Sequence, residues 1–240
     1  MWISGIFKEL VKLTRLSVFV DRCKLCEADL VVTGESLVCG DCLEKMFVFK
    51  ETVCVHCGRP MWNSAKRCGE CIVDPPSFRR HRSYGGYREE LKDLILKFKY
   101  GRVEELKHLL AGYYLEVFER EIAEPFDFII PVPPDRGRKR EFDPVSEIGK
   151  ILSKRLGVPL LTGSLVKVKQ TEPQAGLSRA RRLDNLNRAF ALGKTSPSLE
   201  GKRLLLLDDV YTTGTTMKKC TEVLTKAGAD VIALTLARSI

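Results

Sequence analysis

Apolar residues recur at helical spacing over several long stretches of the chain, and these stretches are separated by short runs that suit buried strands. In residues 1–20, Ile3, Ile6, Phe7, Leu10, Leu13 and Leu16 lie near helical spacing with Lys8, Glu9, Lys12 and Arg15 between them. This predicts an amphipathic helix docked on the rest of the protein or on a second copy, ahead of attachment to a membrane surface, and its frequent charges rule out a transmembrane span. Helical patterns return over 88–99, 104–121 and 143–156, the last with Pro144 in its first turn and Val145, Ile148, Ile151 and Leu152 on one face. A final helix puts Met217, Cys220, Val223, Leu224 and Ala227 on one face, which assigns Cys220 to the core. Residues 126–132 and the four leucines at 204–207 read instead as strands buried on both faces, as in a sheet sandwiched between helices. The pattern predicts an α/β domain. Residues 75–82 read as a charged linker, Gly85 and Gly86 as a turn, and 170–186 as a polar, basic segment suited to a lid.

Both strand ends carry chemistry, because loops at the carboxyl ends of such strands face the ligand crevice. Leu207 gives way to Asp208 and Asp209, followed by Val210, Tyr211, Thr212, Thr213, Gly214, Thr215 and Thr216. The threonines offer hydroxyl donors, Gly214 allows close backbone approach, and the helix beginning there presents free N–H groups and a positive dipole end. One end of this site suits an anion and the other suits hydroxyls or a metal; a sugar phosphate with a vicinal diol satisfies both. No lysine follows Gly214 to make a Walker A loop, and the dinucleotide fingerprint is absent. The run resembles the phosphoribosyl pyrophosphate (PRPP) motif of type I phosphoribosyltransferases. That resemblance implies Asp208 and Asp209 on the ribose hydroxyls, with Tyr211, Thr212, Thr213, Gly214, Thr215 and Thr216 around the 5′-phosphate. The other strand runs into Pro133, Pro134, Asp135, Arg136, Gly137, Arg138, Lys139 and Arg140. Its four cations could hold the departing pyrophosphate; a solvated turn or a nucleic-acid contact is an equal alternative.

Eight of the nine cysteines form four C-x2-C pairs: Cys23/Cys26, Cys39/Cys42, Cys54/Cys57 and Cys68/Cys71. Each pair aims two thiolates at one tetrahedral ion, so two pairs close a four-sulfur shell and the chain has ligands for two zinc ions. Sequential and interleaved pairing are both open. A full sulfur shell leaves no position for water, which makes both ions structural, and His56 becomes a surface residue of its knuckle rather than a ligand. No signal peptide is apparent, which disfavours disulfides.

With 44% hydrophobic and 30% charged residues, the 240-residue chain is ordinary for a cytoplasmic protein of one medium domain and a small module. We divide it into 1–20, a double zinc ribbon at 21–75, a basic linker at 76–82 and the larger domain at 83–240. Eight bound thiolates and two dications take four charges off the formal +9, leaving about +5. Anionic partners are expected: phosphates, nucleic acid or an acidic membrane surface.

The four cysteine pairs, the basic loop after Pro131-Val132-Pro133, the run through Thr171, Gln174, Leu177, Ser178, Arg179 and Arg182, and the terminal acid-threonine motif together resemble the ComF competence family, in its ComFC branch. The likeness spans nearly everything from residue 16 onward. It implies a type I phosphoribosyltransferase fold, Rossmann-like with a mostly parallel sheet, behind a small N-terminal double zinc ribbon. It further implies PRPP and magnesium as ligands, with Asp208 and Asp209 as catalytic carboxylates that stabilise charge in pentosyl transfer. The implied partners are single-stranded DNA and the DNA-translocation proteins of competence, with the protein cytoplasmic or at the inner face of the membrane. The chain departs from the family's R-G-F-N-Q with Arg140, Glu141, Phe142, Asp143 and Pro144. Two functions stay open: a PRPP-dependent transferase, or a non-catalytic DNA-binding factor or PRPP sensor.

Overall fold

The computed structural model describes residues 21–30, 37–49, 52–101, 103–134, 142–168 and 189–240. The expected helix at 1–20, the cationic loop bearing Asp135, Arg136, Arg138, Lys139 and Arg140, and the expected lid at 170–186 lie outside the described residues.

The cysteine quartets build one unit twice. In each, the first cysteine's amide closes a tight turn, Cys23 N to Ala28 O at 2.8 Å and Cys54 N to Arg59 O at 2.7 Å. The third cysteine then starts a single helical turn that carries the fourth, α1 (Gly40–Glu44) after Cys39 and α2 (Gly69–Val73) after Cys68. The turn needs a positive φ at equivalent places, Glu27 at 62° and Gly58 at 69°. Only Gly58 has no alternative, since a Cβ there would meet the His81 carbonyl at 2.7 Å. The second unit is seated directly on the larger domain, with His81 N donating to His56 O at 2.7 Å.

The larger domain contains β1 (Arg80–Gly86), α3 (Glu89–Tyr100), α4 (Leu106–Glu121), β2 (Phe128–Pro131), α5 (Pro144–Leu156), β3 (Leu165–Lys167), β4 (Phe190–Leu192), β5 (Arg203–Tyr211), α6 (Thr215–Lys226) and β6 (Asp230–Arg238). Four strands form a parallel sheet in the order β1-β6-β5-β2, while β3 and β4 pair antiparallel as a separate ribbon. Successive residues of β5 face opposite cores, as strand periodicity requires. Leu205 and Leu207 join Ile129, Ile232 and Leu234 in one core, together with residues of α3, α4 and α5 and with Cys23 and Cys42. Leu204 and Leu206 join Ile130, Val231 and Ala233 in the other, with α6 and with Cys54, Cys57, Cys68 and Cys71. The two cysteine quartets therefore belong to opposite faces of one sheet.

Two expectations change. The charged stretch at 80–82 is the start of β1 rather than linker, and Gly85 and Gly86 continue that strand rather than turn it. The reason is polar satisfaction from elsewhere in the fold. Arg79 pairs with Glu124 at 2.6 Å and Asp230 at 3.0 Å, Arg80 donates to Glu121 O at 2.7 Å, and Arg82 pairs with Glu121 at 2.6 Å. The outer edge of β1 is covered, since Phe49 N donates to Tyr84 O at 3.0 Å and Gly86 N to Phe47 O at 2.9 Å.

Candidate functional site

Asp208 and Asp209 lie on β5 itself, which runs on to Tyr211. The leucines before them are held by neighbours on both sides, Leu204–Leu207 opposite residues of β2 and β6. The acids emerge where β2 has ended, on the floor of a cleft of about 350 Å³ that Lys99, Val132, Pro134, Asp143, Lys167, Phe190 and Thr216 also line. The buried hydroxyl of Tyr114, from α4, donates to the Asp208 carbonyl, and Asp209 N donates to Asp208 Oδ1 at 2.9 Å. Lys99, from the last turn of α3, forms an ion pair with Asp209.

These contacts set the two carboxyls apart. Asp208 keeps part of its surface open to the cleft, yet burial of its carboxyl foremost, and then the charge of Asp209, pushes its pKa up to about 8. Burial works against the Lys99 ammonium, but the Asp209 carboxylate outweighs it and lifts the lysine above its ordinary value. The floor thus offers one acid that holds its proton near neutrality beside one acid with a cationic partner.

Beyond Tyr211 the chain turns through four exposed threonines, Thr212, Thr213, Thr215 and Thr216, around the buried Gly214. Gly214 has φ 76°, and a Cβ on it would lie 2.2 Å from the Tyr211 hydroxyl, so only glycine fits over that ring. Thr213 Oγ1 lies 2.9 Å from Thr215 Oγ1 and accepts from Thr215 N at 3.4 Å, which organises the first turn of α6. Thr216 lines the acid cleft, whereas Thr213, Gly214 and Thr215 line a second hollow of about 720 Å³ shared with Glu70, Cys71, Asp74 and Pro76 of the second cysteine unit. The Tyr211 side chain is a buried strut beneath this loop. Its ring packs on His81 with centroids 4.4 Å apart, and the Arg238 guanidinium sits 4.4 Å from its centroid.

Asp143, where the family pattern has an amide, caps α5 by accepting from Val145 N at 3.2 Å and Ser146 N at 3.3 Å.

The pairing of the cysteines is sequential: Cys23, Cys26, Cys39 and Cys42 form one group and Cys54, Cys57, Cys68 and Cys71 the other, each with its sulfurs within 4.8 Å of one another. Sulfur separations of 3.9 Å for Cys23–Cys42 and 3.6 Å for Cys26–Cys39 and Cys57–Cys68 match the edge of a zinc–thiolate tetrahedron, about 3.8 Å for bonds of 2.3 Å. They are far too long for disulfides. Amides point at the sulfurs as well, Cys39 N to Cys23 Sγ at 3.4 Å and Cys68 N to Cys54 Sγ at 3.3 Å. Burial opposes ionisation of Cys23, but backbone donors from Cys26, Cys39 and Leu25 prevail and bring it down to about 6. The donor set fits two structural zinc ions. His56 is not simply a surface residue. Its Nε2 lies 2.6 Å from Phe78 O and its ring packs edge-on against Phe78, which ties the knuckle to the chain entering β1.

Lys99, Tyr114, His81 and Arg238 were not foreseen as site residues. Each lies on a helix or strand and reaches the site only through tertiary packing, so no local motif marks it.

Residues 16–72 match the double zinc ribbon domain family, and residues 146–239 match the phosphoribosyl transferase domain family. Fold and cysteine geometry define a type I phosphoribosyltransferase fold with an N-terminal double zinc ribbon. The chain is 31% identical over 223 residues to Competence protein F of Haemophilus influenzae, covering 90% of this chain and 96% of that protein. It is 29% identical over 216 residues to DNA utilization protein YhgH of Escherichia coli, covering 88% and 93%. It is 26% identical over 212 residues to Competence protein ComFC of Bacillus subtilis, covering 84% of each. The chain belongs to the ComF family.

Proposed function

We propose that the acid cleft and the threonine loop bind PRPP, and that the protein transfers its phosphoribosyl group in support of the uptake or use of DNA. The carrying observation is the placement of Asp208, Asp209 and residues 211–216 at the carboxyl end of a central parallel strand, in a domain of the phosphoribosyltransferase family. That is where open α/β sheets bind ligands. In this reading Asp208 and Asp209 accept from the ribose hydroxyls and Thr212, Thr213, Thr215 and Thr216 donate to the 5′-phosphate. Pro134, on the cleft wall, leads into the cationic loop of Arg136, Arg138, Lys139 and Arg140, which receives the pyrophosphate. The carboxylate oxygens suit a hard dication such as magnesium, which would offset charge on the pyrophosphate. Asp208 and Asp209 act electrostatically on the developing positive charge of the sugar ring.

The link to DNA rests on the names of the relatives. No helix among the described residues is long and apolar enough to cross a membrane. Calorimetry with PRPP and with ribose 5-phosphate, magnesium present, tests the ligand; pyrophosphate release with candidate acceptors tests the reaction. Saturable binding of both supports the site, and binding of neither removes it. Binding without release under every acceptor favours the sensor reading.

A second reading, a factor that holds single-stranded DNA, is favoured by Trp62, 85% exposed on the second ribbon and followed closely by Lys66 and Arg67. An exposed indole is a stacking platform for bases and the cations suit phosphates.

A further inference from the structure

We infer that Arg238 and His81 are positioning residues that couple the second zinc centre, and not the first, to the threonine loop. The inference rests on the PRPP reading only for what the loop binds. The coupling starts at one backbone atom of a zinc ligand. The carbonyl of Cys57 accepts from Arg238 Nη1 at 2.6 Å and from His81 Nδ1 at 2.9 Å. Both residues are buried, Arg238 at 2% and His81 at 0% exposure. His81 is fixed from its other side, where Nε2 lies 3.0 Å from the Thr235 hydroxyl, itself 2.8 Å from Ser83 Oγ.

The same two side chains pack against the ring of Tyr211, each 4.4 Å away, and the Tyr211 hydroxyl lies beneath Gly214. A second link runs outside the core, from Lys218 on α6 to Asp74 after α2, at 2.5 Å and 2.7 Å. Nothing comparable joins the first centre to the loop among the described residues. Cys23 and Cys42 lie in the core on the opposite face of the sheet. Close-packed interiors yield little and pass strain along contiguous contacts of this kind, so a shift of the Cys57 turn reaches Tyr211 and the loop through Arg238 and His81.

Hydrogen exchange and ligand affinity test this together. In the full-length protein, graded chelation that opens residues 54–71 should raise amide exchange in 211–216, while loss of zinc from the first centre should leave it unchanged. Arg238→Met, with two zinc ions retained, should raise exchange in 211–216 and weaken ribose 5-phosphate about ten-fold or more. Arg238→Lys, which keeps a cation over the ring, should recover part of that affinity. Unchanged loop exchange after residues 54–71 have opened overturns the coupling. So does an Arg238→Met protein that holds two zinc ions and matches the parent in exchange and affinity. Should the parent bind neither ribose 5-phosphate nor PRPP, the PRPP reading fails, and the exchange data still decide the coupling.

Discussion

Lys99, at the end of α3, neutralises Asp209 on β5 through an ion pair with side chains only 20% and 17% exposed. Removing one partner of a pair so enclosed leaves the other charge short of solvation. Lys99→Met should cost about 2 kcal/mol and lower the melting temperature by about 4–8 °C. Magnesium should restore more stability to this variant than to the parent, because it offers the acids a replacement cation. Thermal melts with and without magnesium check both points. A variant that melts like the parent would show that the pair contributes nothing.

Asp208 gives the site a pH dependence of known sign. Its pKa is pushed up to about 8 in the folded protein, above the ordinary carboxylate value of about 3.9. The folded state therefore binds the proton more tightly than the unfolded chain. The resulting stabilisation is full below about pH 4 and is lost as pH rises through about 8. Ligand binding should run the other way. A ribose diol donates to ionised carboxylate, so PRPP affinity should climb by up to about ten-fold per pH unit below 8 and level off above it. Asp208→Asn should flatten the profile, while Asp208→Ala and Asp209→Ala should each lose about 1.5–3 kcal/mol of binding. Calorimetry from pH 6 to 9 measures the profile. A flat profile in the parent removes Asp208 from the diol.

The motif strand was legible because Leu204 to Leu207 have no polar interruption and the acids follow at once; the cysteine ligands were legible because their spacing is itself the constraint. Three helices were read nearly to their ends from apolar periodicity, including α5, where Pro144 also marked the first turn and Asp143 stands just before it as the cap; α6 was read from its apolar face. β1 was not legible. Its Arg80, His81, Arg82 and Ser83 look solvated in sequence, and only the fold supplies Glu121, Cys57 and Thr235 to satisfy them. Lys99 was hidden for a related reason, since a lysine in the last turn of an amphipathic helix looks like surface until β5 is placed beside it.

The basic residues now divide into two groups with different expected roles. Arg79, Arg80 and Arg82 are engaged by Glu124, Asp230 and Glu121, so replacing them should change stability and leave the salt dependence of DNA binding alone. Lys66 and Arg67 follow the exposed Trp62. Their double replacement by Ala should make the slope of log affinity for single-stranded DNA against log salt shallower by roughly 1.4, at about 0.7 per phosphate contact. Trp62→Ala should cost about 1–3 kcal/mol with little sequence dependence. Fluorescence anisotropy with oligothymidylate at several salt concentrations reads all three. An unchanged slope in the Lys66/Arg67 variant would place the DNA path elsewhere.

The two zinc centres should differ in lability, because they differ in burial. All four ligands of the second are buried, whereas in the first Cys26 is exposed and Cys39 half-buried. A chelator reaches an exposed thiolate directly, and must wait for an opening event to reach a buried one. Metal analysis should give two zinc ions per chain, since each closed site takes four thiolates. Release to a strong chelator should then be biphasic, with about one ion leaving fast and one slowly. The fast phase should accompany loss of hydrogen-exchange protection around residues 23–42, because a unit this small depends on its metal for folding. The slow phase should open residues 54–71, where the ribbon shares its core with Leu204, Leu206 and Met217. Mass spectrometry can follow metal content and exchange in the same samples. Release in a single phase, or protection lost first in 54–71, would mean that sheet packing does not shelter the second centre.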